Sequence, residues 1–253
     1  MIKPVMQESN SSLTTVSLSE VFTSIEGEGV FVGTKTLFVR LAGCPLKCHW
    51  CDTTYAIPMD SGESISTEEA KQRISTSLEP NTFKVNFTGG EPLVQYGAVI
   101  ELAKHVQKLG LRTYLESACY DFGRFAKVFP FIDICKIEFK LSDSNAVSSK
   151  NHENLISNEL QCLQYSAKSG SSAKTTYVKV VVTESSSLSE FRELVRMIFT
   201  TVSPSQLAGF IIQPSHKISE PSLGQLVKFY DVVYPYFQDV RVVPQIHKAL
   251  GAR

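Results

Sequence analysis

Three cysteines, Cys44, Cys48 and Cys51, stand within eight residues of the stretch GCPLKCHWCDTTYA. Thiols crowded in this way bind metal or do redox chemistry, and what completes the set decides which. A structural zinc ion takes four ligands, usually from two paired motifs. No second cysteine pair follows here, so His49 or Asp52 would have to complete the shell. A thioredoxin-type pair, Cys48-x-x-Cys51, leaves Cys44 unexplained. A cubane iron–sulfur cluster is the third reading, since each of its four irons normally takes one thiolate. Three cysteines then leave one iron open, as catalytic metal sites keep a position for substrate or cofactor. On that reading the missing fourth thiol is the functional feature.

Other polar residues sit where apolar ones would be expected. Gly89-Gly90-Glu91-Pro92 follows the β-rich run KVNFT. The segment SIEGEG brackets Glu26 and Glu28 with glycines, and an ionised carboxylate accepts hydrogen bonds only, so it suits a ligand edge rich in N–H donors. Arg40 interrupts the apolar run TLFVRLAGC four residues before Cys44, and its planar fork pairs bidentately with carboxylates. Glu116 ends RTYLE, Gln213 ends FIIQ, and His247 lies in the terminal PQIHKALGAR.

These residues need a scaffold, and 253 residues suffice for one large domain or two small ones. The chain is 43% hydrophobic and 20% charged, an ordinary globular composition. Its formal net charge of zero argues against nucleic-acid binding by bulk charge. The opening MIKPVMQESNSSLTT has no apolar core of a secretory signal. No run approaches the ~18–20 apolar residues of a membrane span. Together these features predict a cytosolic protein with reduced thiols, for which six cysteines are too few to form a disulfide scaffold. Cys119, Cys135 and Cys162 read as buried or incidental.

Strands are predicted over 19–25, 36–42, 84–88, 112–116, 132–137, 176–182, 209–213 and 240–244. Ser66 and Glu69 have capping-box spacing and start a helix that ends before Pro80. Val99, Leu102, Ala103, Val106 and Leu109 share one helical face that Gly110 terminates. Further helices are expected over about 153–168, 187–201 and 220–233. Strands alternating with helices imply a parallel α/β sheet, either a (β/α) barrel or an open doubly wound sheet, with the active site at the C-terminal strand ends. Residues 1–15 read as a disordered tail, and 16–253 as one domain with a mobile insertion at about 141–175, rich in Ser, Asn and Lys.

The spacing Cys44-x3-Cys48-x2-Cys51, with the aromatic Trp50 before the last cysteine, resembles the radical S-adenosylmethionine (SAM) superfamily, as does the GGEP stretch. That resemblance implies a partial (β/α) barrel with about six core parallel strands. It implies a [4Fe–4S] cluster whose open iron takes the amino and carboxylate groups of SAM. The remaining stretches resemble the 7-carboxy-7-deazaguanine synthase family. This implies a lyase that contracts the ring of 6-carboxy-5,6,7,8-tetrahydropterin, releases ammonia, and requires Mg²⁺. By the same resemblance, Trp50, Gly89, Gly90, Glu91, Ser117 and Lys140 face SAM, and Thr53 supplies its hydroxyl to Mg²⁺. Glu26, Glu28, Arg40, Glu116, Gln213, His247 and the terminal carboxylate of Arg253 face the pterin. The chain departs from the family pattern in three places. Glu26 stands where many members have Gln, Glu116-Ser117-Ala118-Cys119 replaces a Glu-Thr-Asn segment, and no Ser-Pro precedes Lys140. The expected partners are the pterin, an electron donor such as flavodoxin or ferredoxin, and a second copy of the chain, with no nucleic acid and no membrane. The alternatives are a radical SAM activase of a glycyl radical enzyme and a zinc-stabilised binding module.

Overall fold

The computed structural model describes residues 14–169 and 174–251. Most of the expected tail and Arg253 lie outside the described residues, and the first strand already begins at Thr15. Runs rich in β-branched and aromatic residues form β1 (Thr15–Ile25), β2 (Lys35–Leu41), β3 (Glu63–Ser66), β4 (Lys84–Gly89), β5 (Arg112–Ser117), β6 (Ile134–Phe139), β7 (Thr175–Val182), β8 (Phe210–Pro214) and β9 (Val240–Val242). Among the described residues they make one sheet in the order β3-β1-β2-β4-β5-β6-β7-β8-β9. β1 pairs antiparallel with β2 and β3, and every later pairing is parallel. The parallel run is one strand longer than the six expected, because β9 adds a three-residue edge. The sheet does not close, so the architecture is an open, partial (β/α) barrel.

Helices α1 (Thr67–Ser77), α2 (Tyr96–Lys108), α3 (Phe122–Val128), α4 (Ser149–Ser169), α5 (Leu188–Thr201), α6 (Leu223–Val233) and α7 (Ile246–Ala249) complete the fold. Ser66 caps α1 by accepting the Glu69 N–H at 3.1 Å. The Glu69 carboxylate does not return to Ser66 but pairs with Arg73 at 2.6 Å, so the capping box is half made. The stretch expected as a mobile insertion is largely α4, which buries Leu155, Glu159, Cys162, Leu163 and Ser166. Its Ser- and Lys-rich surface masked that stripe. β3 and α3 were not anticipated. β3 is only four residues long, and α3 is a two-turn helix started by the Asp121 side chain, which accepts the Arg124 N–H at 2.9 Å.

The sheet divides its side chains by period two. One face, including Val85, Phe87, Leu115, Ile137, Phe139, Val178, Val180, Phe210 and Ile212, packs into the main core with the helices. The other face begins with an apolar floor of Tyr114, Ile134, Tyr177 and Ile211. Two residues further along the same strands the interior becomes charged, with Glu116, Lys136 and Lys179, and Glu138 follows two residues after Lys136. The strands therefore deliver polar side chains to their C-terminal ends, above an apolar plug.

Gly89 makes that end possible. Its φ of +136° is open to glycine, and a Cβ there would collide with the backbone of Leu41. We expect Gly89→Ala to cost roughly 2 kcal/mol or more in chemical denaturation. Gly97→Ala, in α2 with open space around it, should stabilise the protein by about 0.5–1 kcal/mol.

Candidate active site

The cysteine loop leaves β2 and is pinned by backbone hydrogen bonds. Gly43 N–H and Cys44 N–H donate to Ala56 and Ile57 carbonyls at 2.9 Å, while Lys47 N–H and His49 N–H donate to Ala146 at 2.9 Å and Ser144 at 3.0 Å. Leu46 is buried against Ala118, Ala146 and Leu155, which gives the loop an apolar anchor. Cys44, Cys48 and Cys51 are half-buried and line one cavity of about 510 Å³. Burial pushes the Cys44 thiol up to about 12 and also raises Cys51, so an incoming metal must displace their protons. Among the described residues, no three His, Cys, Asp or Glu side chains converge as a single metal ion requires. The three thiols line the same cavity, so a group held by them would face it. Cys119, Cys135 and Cys162 are buried elsewhere as free thiols.

Gly89, Gly90 and Glu91 line the cavity beside this loop. The Glu91 carboxylate is already engaged by the chain itself. It accepts the Leu93 N–H at 3.0 Å, the Ala118 N–H at 2.8 Å and the Ser117 hydroxyl at 2.8 Å. Burial nonetheless raises its pKa. Glu91 thus ties the end of β5 to the turn after β4 while lining the cavity with Gly89 and Gly90. Ser117, which gives its proton to Glu91, has no hydrogen left to donate to a cofactor. Lys140 lies at the far side, with its ammonium 5.9 Å from the Trp50 ring.

The remaining expected residues gather opposite. Arg40 is braced by Glu20 at 3.1 Å and stacks its guanidinium on Phe22 and Tyr55, at 5.6 and 6.0 Å. Its Nη1 reaches the Thr53 hydroxyl at 3.5 Å, and that hydroxyl donates to Asp52 at 2.9 Å. The Thr53–Asp52 oxygen pair on the rim is of the kind a largely hydrated Mg²⁺ accepts. Glu28 meets Lys179 and Gln245, each at 2.6 Å, and Gln213 accepts from Lys179 at 3.2 Å. Burial pushes Glu116 up, but the Lys136 and Lys179 ammoniums outweigh it and hold the carboxyl down at about 2. His247 packs so closely on Gly27 that a Cβ there would strike its ring, and Ile246 N–H donates to the Gly27 carbonyl at 3.1 Å. Burial lowers the His247 pKa. Every expected site residue within the described residues lines this one cavity.

Sequence inspection missed the cations behind the carboxylates. Lys136, Glu138 and Lys179 line the cavity, and fully buried Lys84 lies 3.0 Å from Glu26. Gln245 and Lys248, on and just before α7, bind Asp52 at 3.1 and 2.9 Å and so draw the C-terminal segment over the rim. The overlooked signal was alternation. Lys136, Glu138 and Lys140 recur every second residue of an apolar strand, which puts all three on one face.

A partial parallel barrel with three thiols at its mouth defines the class, and comparison with known proteins agrees. A model described as a 4Fe-4S single cluster domain matches residues 25–161. A radical SAM methyltransferase from Sphaerobacter thermophilus shares the fold, with a TM-score of 0.63 over 83% of this chain and 66% of that one, at 12% identity. The structure of QueE from Escherichia coli also gives a TM-score of 0.63, at 19% identity, covering 91% and 94% of the two chains. This is a radical SAM enzyme carrying a [4Fe–4S] cluster. The 7-carboxy-7-deazaguanine synthase of Methanocaldococcus jannaschii is 31% identical over 92% of this chain and 99% of its own length. The chain belongs to the 7-carboxy-7-deazaguanine synthase family. Among the described residues no helix is long and apolar enough to cross a membrane.

The Glu26–Lys84 pair offers a direct test of the site's electrostatics. Burial, then the neighbouring Glu116, push Glu26 up to about 7 despite Lys84, and burial lowers Lys84. A carboxyl raised in this way stabilises the fold fully below its unfolded value near 4.5, and the benefit is lost as pH rises through about 7. Lys84→Met removes the counter-ion and raises Glu26 further. We expect little loss of stability at pH 5 and a loss of about 1 kcal/mol at pH 8, capped at ~1.4 kcal/mol because the carboxyl takes up a proton instead of staying charged without its partner. The double variant Glu26→Gln/Lys84→Met should recover most of that loss, as read by denaturation at both pH values.

Proposed function

We propose that this chain converts 6-carboxy-5,6,7,8-tetrahydropterin to 7-carboxy-7-deazaguanine with loss of ammonia, in 7-deazapurine (queuosine) biosynthesis. One observation carries the reading. The residues that would serve cluster, SAM, Mg²⁺ and pterin all line a single cavity of about 510 Å³, the size of a small-molecule site. Relatives spanning nearly the whole chain carry the synthase name. A glycyl-radical activase would have to admit a protein segment and is disfavoured by those relatives. A zinc-stabilised binding module is disfavoured by the same relatives, which are named as enzymes.

Reductive cleavage of SAM at a three-cysteine [4Fe–4S] cluster supplies the radical chemistry when both are bound. The chain's own residues orient and enclose. Cys44, Cys48 and Cys51 hold the cluster. The Gly89–Gly90 backbone and Lys140, backed by Trp50, face SAM. Arg40 offers its free Nη2 edge to the pterin carboxylate, and Thr53 with Asp52 would bring Mg²⁺ to the same group. Glu26, Glu28 and Glu116 accept N–H bonds from the pterin ring, Gln213 adds an amide, and His247 closes the site with α7. The terminal carboxylate of Arg253 would join them. Pairing of the carboxylates with lysines holds the charges in place before substrate arrives, so little charge need be reorganised during reaction. A flavodoxin- or ferredoxin-type donor, a homodimeric assembly and a cytoplasmic location complete the proposal.

Anaerobic protein reconstituted with iron and sulfide, then given SAM, reductant, Mg²⁺ and the pterin, should yield carboxy-deazaguanine by mass spectrometry. Replacing Cys44, Cys48 and Cys51 with Ala should abolish it. Arg40→Met should raise KM for the pterin by about 10- to 150-fold, the value of one or two hydrogen bonds to a charged group. Arg40→Lys should recover only part of that loss. SAM cleavage without any deazapurine would overturn the substrate assignment.

A further inference from the structure

Glu138 has no role in the reading so far, yet its surroundings are the most charged in the molecule. It lies on the inward face of β6, 7% exposed, in a strand otherwise buried throughout. Its Oε2 meets the Lys136 ammonium at 2.9 Å and the Lys179 ammonium at 3.0 Å, and its Oε1 meets Lys140. Three ammoniums therefore share one carboxylate. Each then continues to a different part of the cavity. Lys136 stands 3.7 Å from Glu116, and Lys179 stands 2.6 Å from Glu28 and 3.2 Å from Gln213. Lys140 turns the other way, to within 5.9 Å of the Trp50 ring in the cysteine loop.

The charge count explains why the arrangement holds. Glu28, Glu116 and Glu138 balance Lys136, Lys140 and Lys179. Without the Glu138 charge, three largely buried cations would face two anions, and their repulsion would move them apart. A lysine stem is flexible, so its acceptor fixes where its charge stands. Burial pushes the Glu138 carboxyl up, but the three lysines outweigh it and hold it well below the usual range.

We propose that Glu138 is a positioning residue that couples the cofactor half of the cavity to the substrate half, by holding Lys140 beside the cysteine loop and Lys136 and Lys179 behind Glu116 and Glu28. The inference rests on the assignment of SAM and pterin to those two halves. An anionic group arriving at Lys140 draws that ammonium from Glu138. Glu138 then binds Lys136 and Lys179 more tightly and alters their hold on Glu116 and Glu28. Because coupling free energies are reciprocal, pterin must change the affinity for SAM by the same factor.

The test is binding, not turnover. Isothermal titration calorimetry on the reconstituted, oxidised protein, without reductant, measures SAM affinity with and without pterin. We expect pterin to tighten SAM binding about tenfold in the wild type, within the usual range of coupling. In Glu138→Gln the factor should fall below about two while each ligand alone still binds. Lys136→Met severs the arm to Glu116, leaves Glu138 and Lys140 in place, and should also weaken the coupling; it serves if Glu138→Gln fails to fold. Coupling that persists in these variants, or none in a wild type that binds both ligands, overturns the inference. A wild type that binds SAM but no pterin overturns the substrate assignment, and the inference falls with it.

Discussion

A carboxylate buried at the end of a parallel sheet needs partners buried with it, hydrogen-bond donors for Glu91 and counter-charges for four others. Glu26, Glu28, Glu116 and Glu138 all face the interior, and each meets a lysine from a strand of the same sheet: Lys84, Lys179 or Lys136. An isolated ionised carboxylate in such a place costs far more than a domain's net stability, so partners are obligatory. The pairing also explains the layering. Tyr114, Ile134 and Tyr177 are each followed two residues on by Glu116, Lys136 and Lys179, where the strands open to the cavity. A site built in this way is set in advance for a polar heterocycle carrying its own carboxylate, because its acceptors are already held in place by their lysine partners.

Two loops and one terminal segment convert that charged layer into an enclosed site. The cysteine loop is held by backbone bonds to Ser144 and Ala146, residues just before α4. The Glu26–Glu28 loop is held by Ile246 through Gly27. Gln245 spans Glu28 and Asp52 at 2.6 and 3.1 Å, tying the substrate side to the cysteine loop through one amide. Helix α4 therefore does structural work beneath the cluster loop, where Leu155 packs with Leu46.

Much of this was legible in the residues, for identifiable reasons. Metal-binding thiols must cluster in sequence when one loop holds them, so Cys44, Cys48 and Cys51 stood out. Glycine-rich turns also announce themselves, because the backbone conformation at Gly89 excludes other residues. The eight anticipated strands correspond to eight observed ones, since each is an apolar run bounded by turn residues. The lysines were hidden because a lone lysine in an apolar strand reads as a surface tail. Only the alternation of Lys136, Glu138 and Lys140, set beside Lys179 on the next strand, shows that they face one another, and that pairing belongs to the sheet register. The engagement of Glu91 and Ser117 with the protein itself was invisible for the same reason. It depends on the juxtaposition of β4 and β5, not on either segment alone. Composition misled at residues 141–175, where a polar surface concealed a buried stripe.

The central claim is that three thiols hold a cluster with one iron left open toward the charged cavity. Electron paramagnetic resonance of the anaerobically reconstituted, reduced protein tests it most directly, recorded with and without SAM. The account predicts a [4Fe–4S] signal that changes on adding SAM and is lost when the three cysteines are replaced. A cluster signal indifferent to SAM, or one that survives loss of these thiols, would contradict it.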